Sequence, residues 1–160
     1  MKLSAYQIDI KQRNALLLDG GMGKFNTTNL ATVGLAIARL LSLPITSSSG
    51  ASLSDFDNKF VYVRSFLTSQ REILDAEQKV TKTTDADWAI THTDGQAFID
   101  EGSSRLARGD FHGVLNLVYG NTMMEGHGGD YETTNGVSNK ALGLPEESLE
   151  DAVRDVVEQL

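Results

Sequence analysis

The sequence predicts an α/β or α+β fold, with a small, mostly parallel sheet and several helices. Apolar runs typical of buried strands are separated along the chain by segments whose apolar residues recur at helical spacing. Strands that are separated by helices favour a layered arrangement of helices on a sheet. Because the chain has 160 residues, 40% of them hydrophobic, we expect one domain over residues 1–160 with a substantial core.

The first predicted elements are a strand and a helix. Residues 15–19 form an apolar run that ends at two glycines, which is typical of a buried strand entering a turn. The next stretch has helical spacing, with either Thr27 or Thr28 as the N-cap and Pro44 beyond its end. The apolar residues that share one face of this helix are Leu30, Val33, Ile37, Leu40 and Leu41.

The middle of the chain predicts a loop, a strand and a second helix. Residues 45–58 are rich in Ser, Thr, Gly and Asp, which favours a surface loop. Residues 60–63 are apolar on both faces, as expected for an interior, parallel strand. Ser69 and Glu72 have the spacing of a capping box. The helix that follows carries Ile73, Ala76 and Val80.

The C-terminal part predicts a strand at residues 88–91 and three further helices. Asp94 and Asp110 are the expected N-caps of the first two helices, and Pro145 is the first residue of the third. The apolar residues of the three helices are, in order, Phe98, Ile99 and Leu106; Phe111, Val114, Leu115 and Val118; and a buried face of Leu149, Val153, Val156 and Leu160. Residues 120–140 have no period and predict a loop.

Composition excludes several classes of function. A formal net charge of -8 repels phosphate backbones and anionic lipid, so we expect neither nucleic acid nor a membrane as partner. The absence of cysteine excludes disulfides, thiolate nucleophiles and cysteine-bound metal. No apolar run is long enough to span a bilayer, and the first ten residues lack the apolar stretch of a signal peptide. We therefore expect a cytoplasmic protein.

The glycine-rich segment from Gly20 to Lys24 does not have the pattern of a nucleotide site. A dinucleotide fingerprint needs a third glycine that opens a helix, whereas Lys24 and Phe25 follow Gly23. A P-loop needs Ser or Thr directly after the lysine, and Phe25 stands there. The segment predicts a turn, and we expect no cofactor bound by this chain.

The three histidines do not pair at metal-ligand spacing, so we expect no metal site. His127 lies in a glycine-rich segment, residues 125–131, where the backbone can approach a ligand closely. We expect His127 or Asp130 to be the proton-transfer group of a catalytic site. The alternative is a mobile loop with a solvated histidine.

Side chains around this segment indicate a small-molecule site. Methionine adapts to irregular apolar ligands, and tyrosine combines an apolar body with a polar tip. We expect the substrate-binding residues to be Tyr119, Met123, Met124, Gly128 and Tyr131. Core packing is the alternative for each of these residues taken alone.

Several segments, taken in order, resemble fungal NmrA-like and isoflavone-reductase-like proteins. Residues 18–21 (LDGG) and 24–34 (KFNTTNLATVG) resemble the stretch that re-enters the nucleotide-binding domain of that family. Its late strand and the helix after it resemble residues 58–66 (NKFVYVRSF) and 68–74 (TSQREIL). Its closing segments resemble residues 107–111 (ARGDF), 126–131 (GHGGDY) and 142–145 (LGLP). The resemblance covers nearly the whole chain.

The resemblance implies an atypical short-chain dehydrogenase, here a truncated Rossmann-type fold. Members of the family bind NADP(H) or NAD(H) and reduce small, often aromatic, metabolites. Their glycine-rich phosphate loop and catalytic lysine lie in the N-terminal half, and no residue of this chain matches either. The chain therefore resembles only the C-terminal, substrate-side portion, and no hydride-transfer role is carried over to its residues.

Three hypotheses follow. In the first, the chain is a small-molecule-binding domain reused for non-redox isomerisation or cyclisation in the secondary metabolism of aromatic or polyketide-type compounds. In the second, it is a fragment of an NAD(P)H-dependent oxidoreductase that a partner chain completes. In the third, it is a non-catalytic regulatory binding module. Because a missing half-sheet leaves an unpaired strand edge, we expect a homodimer under the first two hypotheses.

Overall fold

The computed structural model describes residues 5–160. Residues 1–4 of the segment considered above for a signal peptide lie outside this part. The chain forms two compact units. The first comprises the described residues up to Phe25, Thr68–Asp130 and Ser148–Leu160, and the second comprises Asn26–Leu67 and Tyr131–Glu147. A single domain over residues 1–160 stays a prediction.

The first unit contains a three-stranded sheet of mixed direction. Strand β2 (Asn14–Leu18) lies between β1 (Ile8–Asp9) and β5 (Ala89–Thr93). Strands β2 and β5 are parallel, whereas β1 and β2 are antiparallel. The strands predicted at 15–19 and 88–91 are thus present, and the class is mixed α/β. The mostly parallel sheet is not confirmed, because β1 turns back onto β2 over residues 10–13, a short connection that permits antiparallel pairing.

Four helices complete the first unit: α2 (Gln70–Thr81), α3 (Gly95–Ala107), α4 (Gly113–Met123) and α6 (Leu149–Glu158). Two predicted caps are confirmed. Ser69 and Glu72 form a capping box on α2, and the Asp94 carboxylate accepts a hydrogen bond from Ala97 N–H on α3.

The predicted starts of α4 and α6 are wrong by a few residues. Asp110 does not cap α4, because its carboxylate accepts hydrogen bonds from the Arg105 guanidinium and from His112 N–H, one turn earlier. Helix α6 begins at Leu149 rather than at Pro145, because Ser148 caps it by accepting a hydrogen bond from Asp151 N–H.

The second unit contains α1 (Leu30–Leu41) and the short α5 (Tyr131–Asn135). Asn29, rather than Thr27 or Thr28, stands at the N-cap position of α1. The chain passes between the two units within β3 (Phe25–Thr27) and β4 (Phe66–Thr68), which pair as a two-stranded sheet.

The strand predicted at residues 60–63 does not form. The hydrogen-bond partners of this segment are side chains and the backbone of Ser138, which donates to Tyr62 C=O at 2.8 Å, rather than a neighbouring strand. The Asn139 amide accepts from Arg64 N–H at 3.0 Å and donates to Arg64 C=O at 2.7 Å. The Tyr131 hydroxyl donates to Val63 C=O at 2.7 Å. Val61 and Val63 pack on the core of this unit, which accounts for their apolar character.

Each unit has its own apolar core. In the first unit, helices α2 and α4 and the strands contribute Ile8, Ala15, Leu17, Leu18, Phe25, Ile73, Leu74, Trp88 and Met123. In the second, α1 and the loops contribute Ala36, Leu142 and Leu144, with Phe56, Val61 and Val63 packed around them.

Several helical faces that the apolar spacing marks for burial are exposed. On α1, Leu30, Val33, Ile37 and Leu41 are exposed, and the buried residues are Thr32 and Ala36. The stripe on α4 is exposed at Phe111, Val114 and Val118, and α6 buries Val153 but exposes Val156 and Leu160. The spacing of apolar residues therefore identified the helices, but it did not identify which side of each helix is buried.

Within residues 5–160, the longest apolar helices are too short to cross a bilayer.

Candidate ligand site at the carboxyl ends of two parallel strands

Two aspartates stand side by side where the parallel strands of the first unit end. Leu18, the last residue of β2, is the partner of Thr93, the last residue of β5. Asp19 and Asp94 follow them directly. In open α/β sheets, ligands bind outside the carboxyl ends of parallel strands. This edge of the sheet is therefore the candidate ligand site.

The backbone turns sharply at Asp19. Asp19 has φ of 48°, and Gly20 and Gly21 follow with φ of 81° and 75°. A left-handed conformation is uncommon outside glycine, although Asp adopts it more readily than most residues. The turn points the Asp19 carboxylate to α3, where it accepts a hydrogen bond from Gly95 N–H at 2.9 Å.

The side chains of Asp19 and Met124 both pack against Gly95. A Cβ atom at this position would lie 2.6 Å from Asp19 Oδ2 and 2.6 Å from Met124 Sδ. Only glycine therefore allows the carboxylate and the thioether to reach the start of α3 together. Asp19, Asp94, Gly95 and Met124 form what we call the strand-end site. Asp19 is exposed and Met124 is half-buried, so a ligand can reach both.

The glycine-rich loop after α4 is anchored at its far end. A Cβ atom on Gly129 would lie 1.8 Å from Thr122 C=O and 3.0 Å from Phe25 Cβ. The loop therefore folds back tightly onto the last turn of α4. Between these anchors, Gly126 and Gly128 have φ of 77° and 90° and hold the exposed tip that carries His127.

Of the two predicted proton-transfer groups, His127 is exposed and Asp130 is half-buried. His127 Nδ1 lies 3.4 Å from Asn121 Oδ1, and His127 N–H donates to Met124 C=O at 3.3 Å. This local turn places His127 three residues beyond Met124 on the same loop. Both residues belong to the first unit. Their catalytic role stays a prediction.

The predicted substrate-binding residues do not form one group. Met124 joins the strand-end site, and Gly128 shapes the His127 loop. Met123 is buried in the core, and the Tyr119 ring packs at its edge, with its centroid 6.3 Å from that of Tyr6. For these two residues, the structure favours the core-packing alternative.

Tyr131 belongs to the second unit. In addition to its hydrogen bond to Val63, its ring stacks against Tyr62 with centroids 5.2 Å apart. These contacts give Tyr131 a structural function within that unit. The structure does not group it with the other predicted residues.

A buried carboxyl on α2 escaped the sequence reasoning. Burial, together with the nearby Asp9 carboxylate, raises the pKa of Glu77 to about 7. Glu77 Oε2 is buried without a hydrogen-bond partner among residues 5–160. The sequence feature that could have identified Glu77 is its position four residues after Ile73, which places it on the inward face of the helix.

Among residues 5–160, no three His, Asp or Glu side chains lie close enough together to hold a metal ion.

Comparison with known proteins gives relatives named as oxidoreductases. The chain is 26% identical over 149 residues to oxidoreductase aprR of Aspergillus flavus, a match that covers 93% of this chain and 46% of the relative. It is 28% identical over 152 residues to oxidoreductase poxI of Penicillium oxalicum, covering 94% and 45%. The chain thus spans about half the length of the curated relatives it matches. No protein-family model and no solved structure matches it.

Proposed function

We propose that this chain is the ligand-binding part of an oxidoreductase-type protein, with the organic ligand seated at the strand-end site. The observation that carries the proposal is the match of 93–94% of the chain to about half of two proteins named oxidoreductase. The place of the ligand rests on Asp19 and Met124, which lie at the carboxyl ends of parallel strands.

The residues of this chain do not fit the pyrophosphate of a nicotinamide nucleotide. Such a group binds at a helix N-terminus that follows a strand, where free N–H groups and the helix dipole favour an anion. Each helix here that follows a strand has a carboxylate at that end: Glu147 for α1, Glu72 for α2, and Asp19 and Asp94 for α3. The nucleotide would therefore bind the part of the relatives that this chain does not match.

The ligand we propose is neutral and organic, of the aromatic or polyketide type. Two carboxylates disfavour an anionic ligand, and the Met124 thioether adapts to flat apolar surfaces. His127, on the same loop as Met124, or Asp130 would transfer a proton to or from the ligand.

Ligand-observed NMR with a neutral aromatic ketone, 2-acetylnaphthalene, tests the site. We expect binding to the wild-type chain and a loss of about tenfold in affinity for Met124→Ala, since one apolar contact contributes about 1.4 kcal/mol. Val156→Ala is the control, because Val156 is a 54% exposed apolar residue on α6 of the same unit. Equal binding by both variants would place the ligand elsewhere.

Calorimetric titration with NADPH tests whether the nucleotide binds outside this chain, as we propose. We expect no binding to the isolated chain, because its helix starts carry carboxylates. Tight binding of NADPH by this polypeptide alone would overturn the proposal.

A second candidate is a stand-alone isomerase or cyclase. It is favoured by His127, which the anchored loop presents to solvent between two left-handed glycines. Turnover of a metabolite by the isolated chain, lost in His127→Ala and retained in His92→Ala, would support it. His92 is the control because it is an exposed histidine on β5. A ligand that binds without turnover would instead support a regulatory module.

A further inference from the structure

Helix α1 is apolar on its exposed side as well as on its buried side. Toward the core, Ala36 packs in a buried cluster with Leu142 and Leu144, and Thr32 is also buried. The exposed side consists of large side chains and small ones: Leu30 (88% exposed), Val33 (37%), Ile37 (54%) and Leu41 (71%), with Ala31, Gly34 and Ala38. We call these seven residues the α1 apolar face.

A surface helix normally shows charged and polar residues to water. A helix that is apolar all round is normally enclosed by protein on every side. Arg39 is the one charged residue of α1. Leaving the large side chains of this face in water is unfavourable by about 25 cal/mol for each Å² of apolar surface that a partner would cover.

The shape of the face suits a close protein partner. Ala31, Gly34 and Ala38 are spaced three and four residues apart and therefore form a flat strip along the helix. Apart from its chain neighbours and the nearby backbone of α1 itself, no heavy atom of the described chain lies within 4 Å of the position that a Gly34 Cβ would take. Another helix or a sheet can approach along this strip, with Leu30, Ile37 and Leu41 packed along one edge of it.

We infer that the α1 apolar face docks the polypeptide equivalent to the part of aprR and poxI that this chain does not match. This inference rests on the proposed function. The match covers only 46% and 45% of those relatives, so more than half of each must pack somewhere, and an apolar helix face is a suitable surface. A second copy of this chain is less suitable, because each copy carries a net charge of -8.

The test uses the absence of cysteine from the natural chain. A chimera is built in which this chain replaces the segment of aprR that it matches. Cysteine is introduced by Ile37→Cys or, as control, by Ile45→Cys, which changes a 77% exposed residue outside α1. Maleimide labelling of each position is followed by mass spectrometry in the chimera and in the isolated chain.

We expect the cysteine at position 37 to label quickly in the isolated chain and at least about tenfold more slowly in the chimera, which corresponds to about 1.4 kcal/mol of protection. The cysteine at position 45 should label at the same rate in both. Equal rates at position 37 in both proteins would overturn the inference. Protection in the isolated chain that increases with concentration would assign the face to a second copy instead.

A second variant keeps the inference testable if the introduced cysteine disturbs the chimera. Gly34→Gln should stabilise the isolated chain, because Gln forms helix better than Gly and the site is open. The same change should lower the melting temperature of the chimera by obstructing the strip. Stabilisation of both proteins would contradict docking.

The outcome is separable from that of the proposed function. Protection at position 37 in a chimera that does not bind 2-acetylnaphthalene would keep the docking and remove the proposed ligand site. NADPH-dependent reduction of a ketone by the chimera, without protection at position 37, would keep the proposed function and remove the docking.

Discussion

Gln70 Oε1 accepts a hydrogen bond from Leu18 N–H at 2.9 Å, and this contact ties α2 to the central strand of the first unit. Gln70 Nε2 donates to Tyr6 C=O at 2.8 Å and to Leu16 C=O at 2.9 Å. The side chain is 1% exposed. One buried amide therefore makes hydrogen bonds with three backbone groups from the N-terminal turn and the central strand.

Replacement of this amide tests its role. We expect Gln70→Leu to lower the free energy of unfolding by about 3 kcal/mol, because Leu18 N–H and Leu16 C=O lose their buried hydrogen-bond partner. Gln96→Leu is the control, since Gln96 is exposed on α3 and should change stability by less than about 0.5 kcal/mol. Urea titration followed by circular dichroism measures both. Equal urea midpoints for the two variants would show that the hydrogen bonds of Gln70 do not stabilise the fold.

Glu77 predicts a dependence of stability on pH. Its pKa is about 7 in the folded chain against an ordinary value of 4.5, so the folded state holds a proton that the unfolded state releases between these values. The Glu77 contribution to stability is therefore fully present below pH 4.5 and is lost as pH rises through 7, a change of up to about 3 kcal/mol.

Glu77→Gln removes this titration and should make the chain more stable than wild type above pH 7. Glu158→Gln, an exposed change on α6, should leave the pH profile as it is. The measurement is the free energy of unfolding in urea from pH 4 to pH 8 at constant ionic strength. A wild-type profile that matches that of Glu77→Gln would refute the raised pKa.

Gly129 and Gly34 should respond oppositely to the same substitution. Gly129→Ala drives a methyl group into Thr122 C=O and should cost about 3 kcal/mol as the loop shifts. Gly34→Ala places its methyl group in open space on a helix and should stabilise the chain by about 0.5–1 kcal/mol. The measurement is the melting temperature of each variant, compared with that of the wild-type chain. Similar melting temperatures would mean that the Gly129 loop is not anchored.

Asn139 should be essential to the second unit. Asn139→Ala removes both hydrogen bonds to the backbone of Arg64 and should destabilise the chain by about 2–3 kcal/mol. Asn135→Ala, an exposed change on α5, is the control. Hydrogen exchange at Arg64 N–H reports the local effect and should accelerate only in the Asn139 variant. Unchanged exchange would show that another group holds this backbone.

Local signals in the sequence predicted most of the elements. The Ser69 and Glu72 capping box, the Asp94 cap and the apolar run at residues 15–19 depend on neighbours within a few positions, and each is confirmed. The strand expected at 60–63 failed for a long-range reason. Tyr131 and Ser138, some seventy residues away, supply hydrogen bonds to Val63 and Tyr62 in place of a neighbouring strand.

The candidate site was found only in part. Met124 was proposed for its chemistry, and it does lie at the strand-end site, but its partner Asp19 looked like the end of a buried run. The left-handed turn that aims the Asp19 carboxylate at Gly95 depends on β5 pairing beside β2. No spacing rule predicts that pairing. The exposed side of α1 is a separate case, since periodicity identifies an apolar face but not whether the described fold buries it.

The interleaving of the two units along the chain has a consequence for biogenesis. The first unit draws on three separated stretches of polypeptide and the second on two. On a ribosome, the last helix of the first unit emerges only after every residue of the second has been made. Neither unit can be excised as a continuous fragment, and a protease cut anywhere between residues 26 and 147 divides the polypeptide of both units.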